Sequence, residues 1–150
     1  MASQISGKLL LANIYGRKVE RAAQTLPATA TQTIFTISGG RVLLTTLAGE
    51  VVSATGATAT NITINLVGSV NGLTVALATA TAATSLTVGT EFAFAALGSA
   101  ATVGAAFNQN NETILTPGNI QIVTSATNTG TVKWTLLYIP LDDGASVVAV

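Results

Sequence analysis

The sequence predicts an all-β protein, with a β-sandwich or jelly-roll-like body that follows an N-terminal arm, either extended or short-helical. Three observations predict this fold. From residue 31 onward, apolar and polar residues alternate with a period of two. Turn-forming Gly, Pro, Asn and Asp residues separate these stretches at intervals of roughly 8–12 residues. Threonine, which favours strands without adding charge, is frequent. We expect the arm and its linker over residues 1–27 and the sandwich over residues 28–150.

The arm is predicted from the distribution of charge. Residues 1–41 carry five basic side chains against Glu20 alone, whereas residues 42–150 carry only Lys133 against five acidic ones. A basic segment on an acidic body often contacts a partner, although a solvated helix or loop is the alternative. Helical spacing of apolar residues favours an amphipathic helix over residues 5–23, and residues 8–15 are equally compatible with an extended segment lying against another chain. Pro27 indicates an extended linker.

Strands are expected in nearly every segment of the body. Residues 61–68 and 131–141 show the clearest alternation, the latter with Val132, Trp134, Leu136 and Tyr138 on one face. The pair Asn71-Gly72 predicts a two-residue hairpin loop, because both residues tolerate positive φ. The Ala-rich stretches are expected to be strand and loop. The predicted strands cover residues 31–38, 41–52, 61–68, 73–80, 85–97 (broken near Gly89), 112–125 (with a turn at 117–119), 131–141 and 145–150.

A membrane role is not expected, although residues 51–90 contain no charged side chain and are long enough to span a bilayer. Ala, Thr, Gly, Ser and Asn interrupt this run, so no window reaches the apolar density of a lipid-facing helix. Aromatic residues make up only 5% of the chain, too few for the girdles of an outer-membrane barrel. The N-terminus lacks the pattern of a secretory signal.

The sequence offers little catalytic chemistry. With no Cys and no His, it excludes disulfides, zinc–thiolate sites and a Ser-His or Cys-His relay. A glycosidase using carboxylates alone is the remaining enzymatic hypothesis, but Asp142 and Asp143 precede Gly144 and are typical of a turn. We therefore expect no enzyme, no cofactor and no metal site. The basic cluster is too small for nucleic-acid binding, and Trp134 and Tyr138 are expected in the core rather than on a sugar-binding surface.

Six segments of the sequence carry a resemblance to a known class of protein: QTIFTISGGRV (32–42), TTLAGEV (45–51), PGNI (117–120), TGTVKW (129–134), YIPL (138–141) and GASVV (144–148). They resemble small β-rich virion proteins of tailed bacteriophages. The resemblance covers roughly residues 27–150 as a pattern, with the Ala/Thr-rich middle matching only in composition. Such proteins serve as capsid decoration or cement proteins, head fibres and minor tail proteins. The resemblance implies no catalytic residues.

Together these features predict a capsid decoration (cement) protein on the exterior of the virion head. It would bind the major capsid protein, stabilise the assembled shell and self-associate, the homotrimer being the expected form. The lack of a secretory-signal pattern predicts assembly in the host cytoplasm. A charged fraction of 8% suits a chain largely covered by other protein. The candidate capsid-attachment residues are Lys8, Tyr15, Arg17, Lys18 and Arg21. The alternative is a head-fibre or tail protein that binds a host receptor or glycan through the polar loop residues Asn108, Gln109, Asn110 and Asn111.

Overall fold

The fold was analysed in a computed structural model, which describes residues 16–27, 30–93, 99–100, 102–104 and 112–150. Within these ranges every helix or strand element is a β-strand, which confirms the all-β prediction. The strands are β1 (Arg17–Thr25), β2 (Thr31–Ser38), β3 (Val42–Ser53), β4 (Asn61–Gly68), β5 (Thr74–Ala82), β6 (Glu91–Ala93), β7 (Ser99–Ala100), β8 (Thr102–Gly104), β9 (Thr113–Leu115), β10 (Gly118–Thr124), β11 (Thr131–Pro140) and β12 (Ser146–Ala149).

The strands form two sheets that pack face to face as a β-sandwich. Sheet A has the order β1-β11-β3-β6-β8, with β9 also paired to β3, and sheet B has the order β12-β2-β10-β4-β5-β7. All pairings are antiparallel except that of β5 with β7. The hydrophobic core lies between the two sheets and receives side chains from both.

The period of two in the sequence determines which side chains reach this core. On β11 the predicted inner face is confirmed, because all four of its members are at most 4% exposed. β4 follows the same alternation and buries three aliphatic side chains. These buried residues are Val132, Trp134, Leu136 and Tyr138 on β11, and Ile62, Ile64 and Leu66 on β4.

The predicted turn at residues 38–41 carries the chain from sheet B to sheet A. Gly39 has a φ of 75°, and a Cβ there would lie 2.2 Å from the carbonyl oxygen of Gly144. Arg41 joins this turn to the one between β11 and β12, which contains Asp142. Its Nε and Nη2 donate to the Asp142 carboxylate at 3.0 and 2.9 Å, and its main-chain N–H donates to the same carboxylate at 2.7 Å. Asp142 is therefore a turn residue, as the sequence indicates.

The predicted hairpin between β4 and β5 is present, but its loop is longer than two residues. The Gly68 N–H donates to the Leu73 carbonyl at 2.9 Å, so the loop comprises residues 69–72. The Asn71 side chain accepts from the Leu73 N–H at 3.0 Å, and Gly72 has a φ of 65°. Asn and Gly thus supply the expected turn chemistry in a wider loop.

Residues 17–25, in the second half of the predicted arm and linker, are extended and form β1. β1 is an edge strand of sheet A and pairs antiparallel with β11 along its length. Its side chains alternate, with Val19 and Arg21 towards the interior and Lys18 and Glu20 outward, which is incompatible with a helix reaching residue 23. Since β11 provides hydrogen-bonding partners for this main chain, the sandwich includes these residues.

Candidate interaction surface

Arg21, one of the predicted attachment residues, is only 4% exposed. Its Nε donates to the main-chain oxygen of Val150 at 2.5 Å, and its Nη2 donates to the Gln24 side chain. Burial lowers the pKa of the guanidinium, which still remains charged at any physiological pH. Because Val150 follows β12, this arginine fastens the β1 edge of sheet A to the β12 edge of sheet B. It is a structural residue and is not accessible to a partner.

The other candidate residues are either exposed on β1 or lie outside the described ranges. Arg17 and Lys18 are exposed on β1. The Lys18 Nζ lies 3.0 Å from a carboxylate oxygen of Glu20, and this hydrogen bond is the main reason that the pKa of Glu20 is lowered. The candidates outside the described residues are Lys8, Tyr15, Asn108, Gln109, Asn110 and Asn111.

A row of charges crosses the outer face of sheet A. Lys133 lies opposite Glu50, with Nζ 3.1 Å from the carboxylate, and Glu50 lies opposite Glu91 on the next strand. The hydrogen bond to Glu50 raises the pKa of Lys133. Burial, and then repulsion from Glu50, raise the pKa of Glu91. Glu20 joins the row from β1, 3.8 Å from the Lys133 Nζ.

Charge is also segregated between the two sheets. Of the eleven charged side chains within the described ranges, seven lie on strands, and every one of the seven belongs to sheet A. The six strands of sheet B contain no Lys, Arg, Asp or Glu. The seven strand-borne charges are Arg17, Lys18, Glu20, Arg21, Glu50, Glu91 and Lys133.

The opposite end of the outer face of sheet A is aliphatic. Ile139, Leu43 and Ile114 lie directly opposite one another on β11, β3 and β9. Leu137 lies on the same face, two residues before Ile139, and its cross-strand partner on β1 is Lys18. Ile114 is 59% exposed, and the other three are half-buried. An exposed aliphatic cluster of this kind typically marks an interaction site.

The structure thus brings one predicted attachment residue, Lys18, to the margin of an aliphatic cluster that sequence reasoning missed. Arg17 is exposed but lies on the other face of β1, opposite the inward-facing Tyr138. We call the surface formed by Lys18 and the cluster the basic–aliphatic patch. A signal for it was present in residues 131–141, where outward positions change from Lys133 and Thr135 to Leu137 and Ile139. The rest of the cluster comes from strands distant in the sequence. The patch consists of Lys18, Leu43, Ile114, Leu137 and Ile139.

Two other kinds of site are absent from the described ranges. No group of three or more His, Cys, Asp or Glu side chains there could hold a metal ion. No helix in that part of the chain is long and apolar enough to cross a membrane.

Comparisons with known proteins show little similarity. No protein-family model matches the chain, and no curated protein matches it. One solved structure that matches is titled "Structure of infectious bursal disease virus Gx strain", with 16% sequence identity and a TM-score of 0.25. The match covers 87% of this chain and 33% of that chain, so this chain spans about a third of that protein's length. At this TM-score and identity, the match does not establish a shared fold or a shared role.

Proposed function

We propose that this chain is a viral structural protein that decorates the exterior of a virion head by binding the major capsid protein. Its role is mechanical and not enzymatic. A protein that binds the assembled shell, and not the dissociated subunits, stabilises that shell by mass action. The resemblance of residues 27–150 to phage virion proteins supports this proposal, as does a rigid β-sandwich with little charge.

The observation that carries the proposal is the composition of the basic–aliphatic patch. Aliphatic side chains from three strands form its centre, and the cation Lys18 lies on the β1 margin. An apolar centre with a polar, charged rim is the usual anatomy of a protein–protein interface. The complementary surface on the major capsid protein would be apolar and flanked by carboxylates.

The expected energies differ between the centre and the rim. Complete burial of an aliphatic side chain of this size contributes about 1.5–3 kcal/mol, and Ile114 is the member with most surface left to bury. The exposed cation Lys18 contributes mainly to the rate of association and to specificity, because solvent screens it. We therefore expect affinity to depend on the aliphatic row and salt sensitivity to depend on Lys18.

The direct test is binding of the purified full chain to heads that lack it, assembled from the major capsid protein of the same virus. Cosedimentation at increasing concentration gives the affinity. Ile114→Asp should weaken binding about tenfold or more, since about 1.4 kcal/mol corresponds to a factor of ten. Lys18→Glu should weaken it mainly at low salt.

The matched control is Val88→Asp, which makes the same kind of change at a position that is 65% exposed and outside the patch. It should bind heads like the wild type. Absence of wild-type binding to heads, or equal binding by the Ile114 and Val88 variants, would contradict the proposal. Binding to host cells or glycans instead of heads would support the fibre or tail alternative.

A further inference from the structure

The outer face of sheet B is broad and carries no charge. Its central cross-strand rows are Thr36–Asn119–Val67 and Thr33–Gln121–Asn65, contributed by β2, β10 and β4. At the β12 margin, Val148 lies opposite Thr36 and is 52% exposed. We call this surface the neutral face. Its outward side chains are Thr33, Thr36, Thr63, Asn65, Val67, Thr74, Ala76, Asn119, Gln121, Val123 and Val148.

This neutrality contrasts with sheet A and limits what can cover the face. A free sheet surface usually carries charges that keep the protein soluble and discourage association, and the centres of protein interfaces are depleted of them. A charged partner group placed here would lose its water without gaining a counter-ion, which is costly. A surface that covers the neutral face must therefore be neutral too.

The hydrogen-bonding groups of the neutral face complement themselves. Hydroxyl and carboxamide groups both donate and accept, so two such surfaces can pair without any matching of opposite charges. The Thr36 Oγ1 already donates to the Asn119 Oδ1 at 3.0 Å across two strands. The outer face of sheet A of a second copy cannot be the surface that covers the neutral face. Such packing would bury Lys133, Glu50 and Glu91 against uncharged groups.

We propose that two copies of this chain pack neutral face against neutral face. Contact between the same surface on both copies is isologous, so the pair has two-fold symmetry. This pairing differs from the homotrimer expected from the resemblance to phage proteins, and it does not require that the chain binds heads.

The dimensions of the face are sufficient for such a pair. Its long strands β2, β10, β4 and β5 have 8, 7, 8 and 9 residues. At about 4.8 Å between strands and 3.3 Å per residue, they cover about 500 Å² per copy in projection. Two copies give a projected area of about 1,000 Å². The buried area is larger than this, because side chains project from the sheet and β12 also contributes. The total reaches the lower range of specific interfaces, about 1,200 Å², so we expect a reversible dimer.

The test is the mass of the purified full chain by size-exclusion chromatography with light scattering. At about 100 µM the wild type should be a dimer, since micromolar affinity suits an interface of this size. Gln121→Lys and Thr63→Lys, each in the middle of the neutral face, should each give a monomer. The control Thr135→Lys adds the same charge to the outer face of sheet A and should leave the dimer intact.

A second measurement separates lost pairing from lost folding. Mixing Gln121→Lys with Gln121→Glu should restore a dimer that neither variant forms alone, which a misfolded protein would not do. A wild-type monomer at about 100 µM, a wild-type trimer, or dimers that persist in both neutral-face variants would overturn the pairing. Head binding by the wild type is measured separately, so failure of this pairing and failure of the proposed capsid role are distinguishable.

Discussion

The substitution Gly49→Ala should destabilise the fold, because the Trp134 indole occupies the space of a side chain at this position. Gly49 lies between Trp134 and Phe92 on the neighbouring strands, and the two rings stack with centroids 6.0 Å apart. A Cβ on Gly49 would lie 2.5 Å from the indole Cζ3, about 0.9 Å closer than ordinary contact permits. The indole is 1% exposed, so any movement disturbs the core.

The magnitude follows from two opposing terms. Overpacking of a well-packed core costs about 1–3 kcal/mol. Replacing Gly by Ala returns about 0.4–1 kcal/mol by restricting the unfolded chain. We therefore expect a net loss of about 1–2 kcal/mol, which for a domain of this size lowers Tm by roughly 2–8 °C.

Denaturant unfolding and thermal melting at one fixed protein concentration measure the effect. Ala48→Val, on the outward face of the same strand, is the control and should change stability by less than about 0.5 kcal/mol. In a Trp134→Leu background, Gly49→Ala should cost less, by about 1 kcal/mol, because the obstructing ring is gone. A Gly49→Ala protein as stable as the wild type, or one equally destabilised in both backgrounds, would refute the reasoning.

Three further predictions concern buried and paired polar groups. The Asn128 side chain accepts from the Gly56 N–H at 2.6 Å and donates to the Thr58 carbonyl and the Thr60 hydroxyl. Asn128→Ala should therefore lower the free energy of unfolding, measured with denaturant, by about 2–4 kcal/mol. Asn128→Asp should lower it further, because a carboxylate cannot donate. Arg41 lowers the pKa of Asp142 from 3.8 to about 2. This pair therefore stabilises the fold above about pH 4, and its contribution disappears as the pH falls through about 2. Melting curves measured at several pH values should show that Asp142→Asn removes this loss of stability at low pH. If Asp142→Asn loses stability at low pH as the wild type does, the pair is not the cause of that loss. Arg21→Ala should lower Tm but leave head binding intact wherever the variant is folded, and selective loss of binding would restore Arg21 as an attachment residue.

Local pattern was sufficient to predict the strands but not their arrangement. The period of two predicts the buried faces of β4 and β11, because a half-buried strand exposes alternate residues. β1 was missed because Val19 is its only large apolar residue, so its cations suggested a solvated arm. Only pairing with β11 and the bond from Arg21 to Val150 make this polar segment a strand. Such long-range contacts leave no local periodicity.

The candidate surfaces depend even more on strand order. Leu43, Ile114 and Ile139 are far apart in the sequence and become neighbours because β3 lies between β9 and β11. The neutral face has the same origin, since the charge-free stretch 51–90 becomes a surface only when β4 pairs with β10. Sequence reasoning predicted low surface charge and Lys18 as an exposed cation, but it could not assign each charge to a sheet.

The copy number of this protein in purified virions tests the proposed capsid role most directly. Quantitative mass spectrometry of intact particles gives its ratio to the major capsid protein. A decoration protein is predicted to be present in many copies, at a fixed ratio to the major capsid protein, and to be retained on heads separated from tails. A few copies per particle confined to the tail, or absence from the virion, would contradict the account.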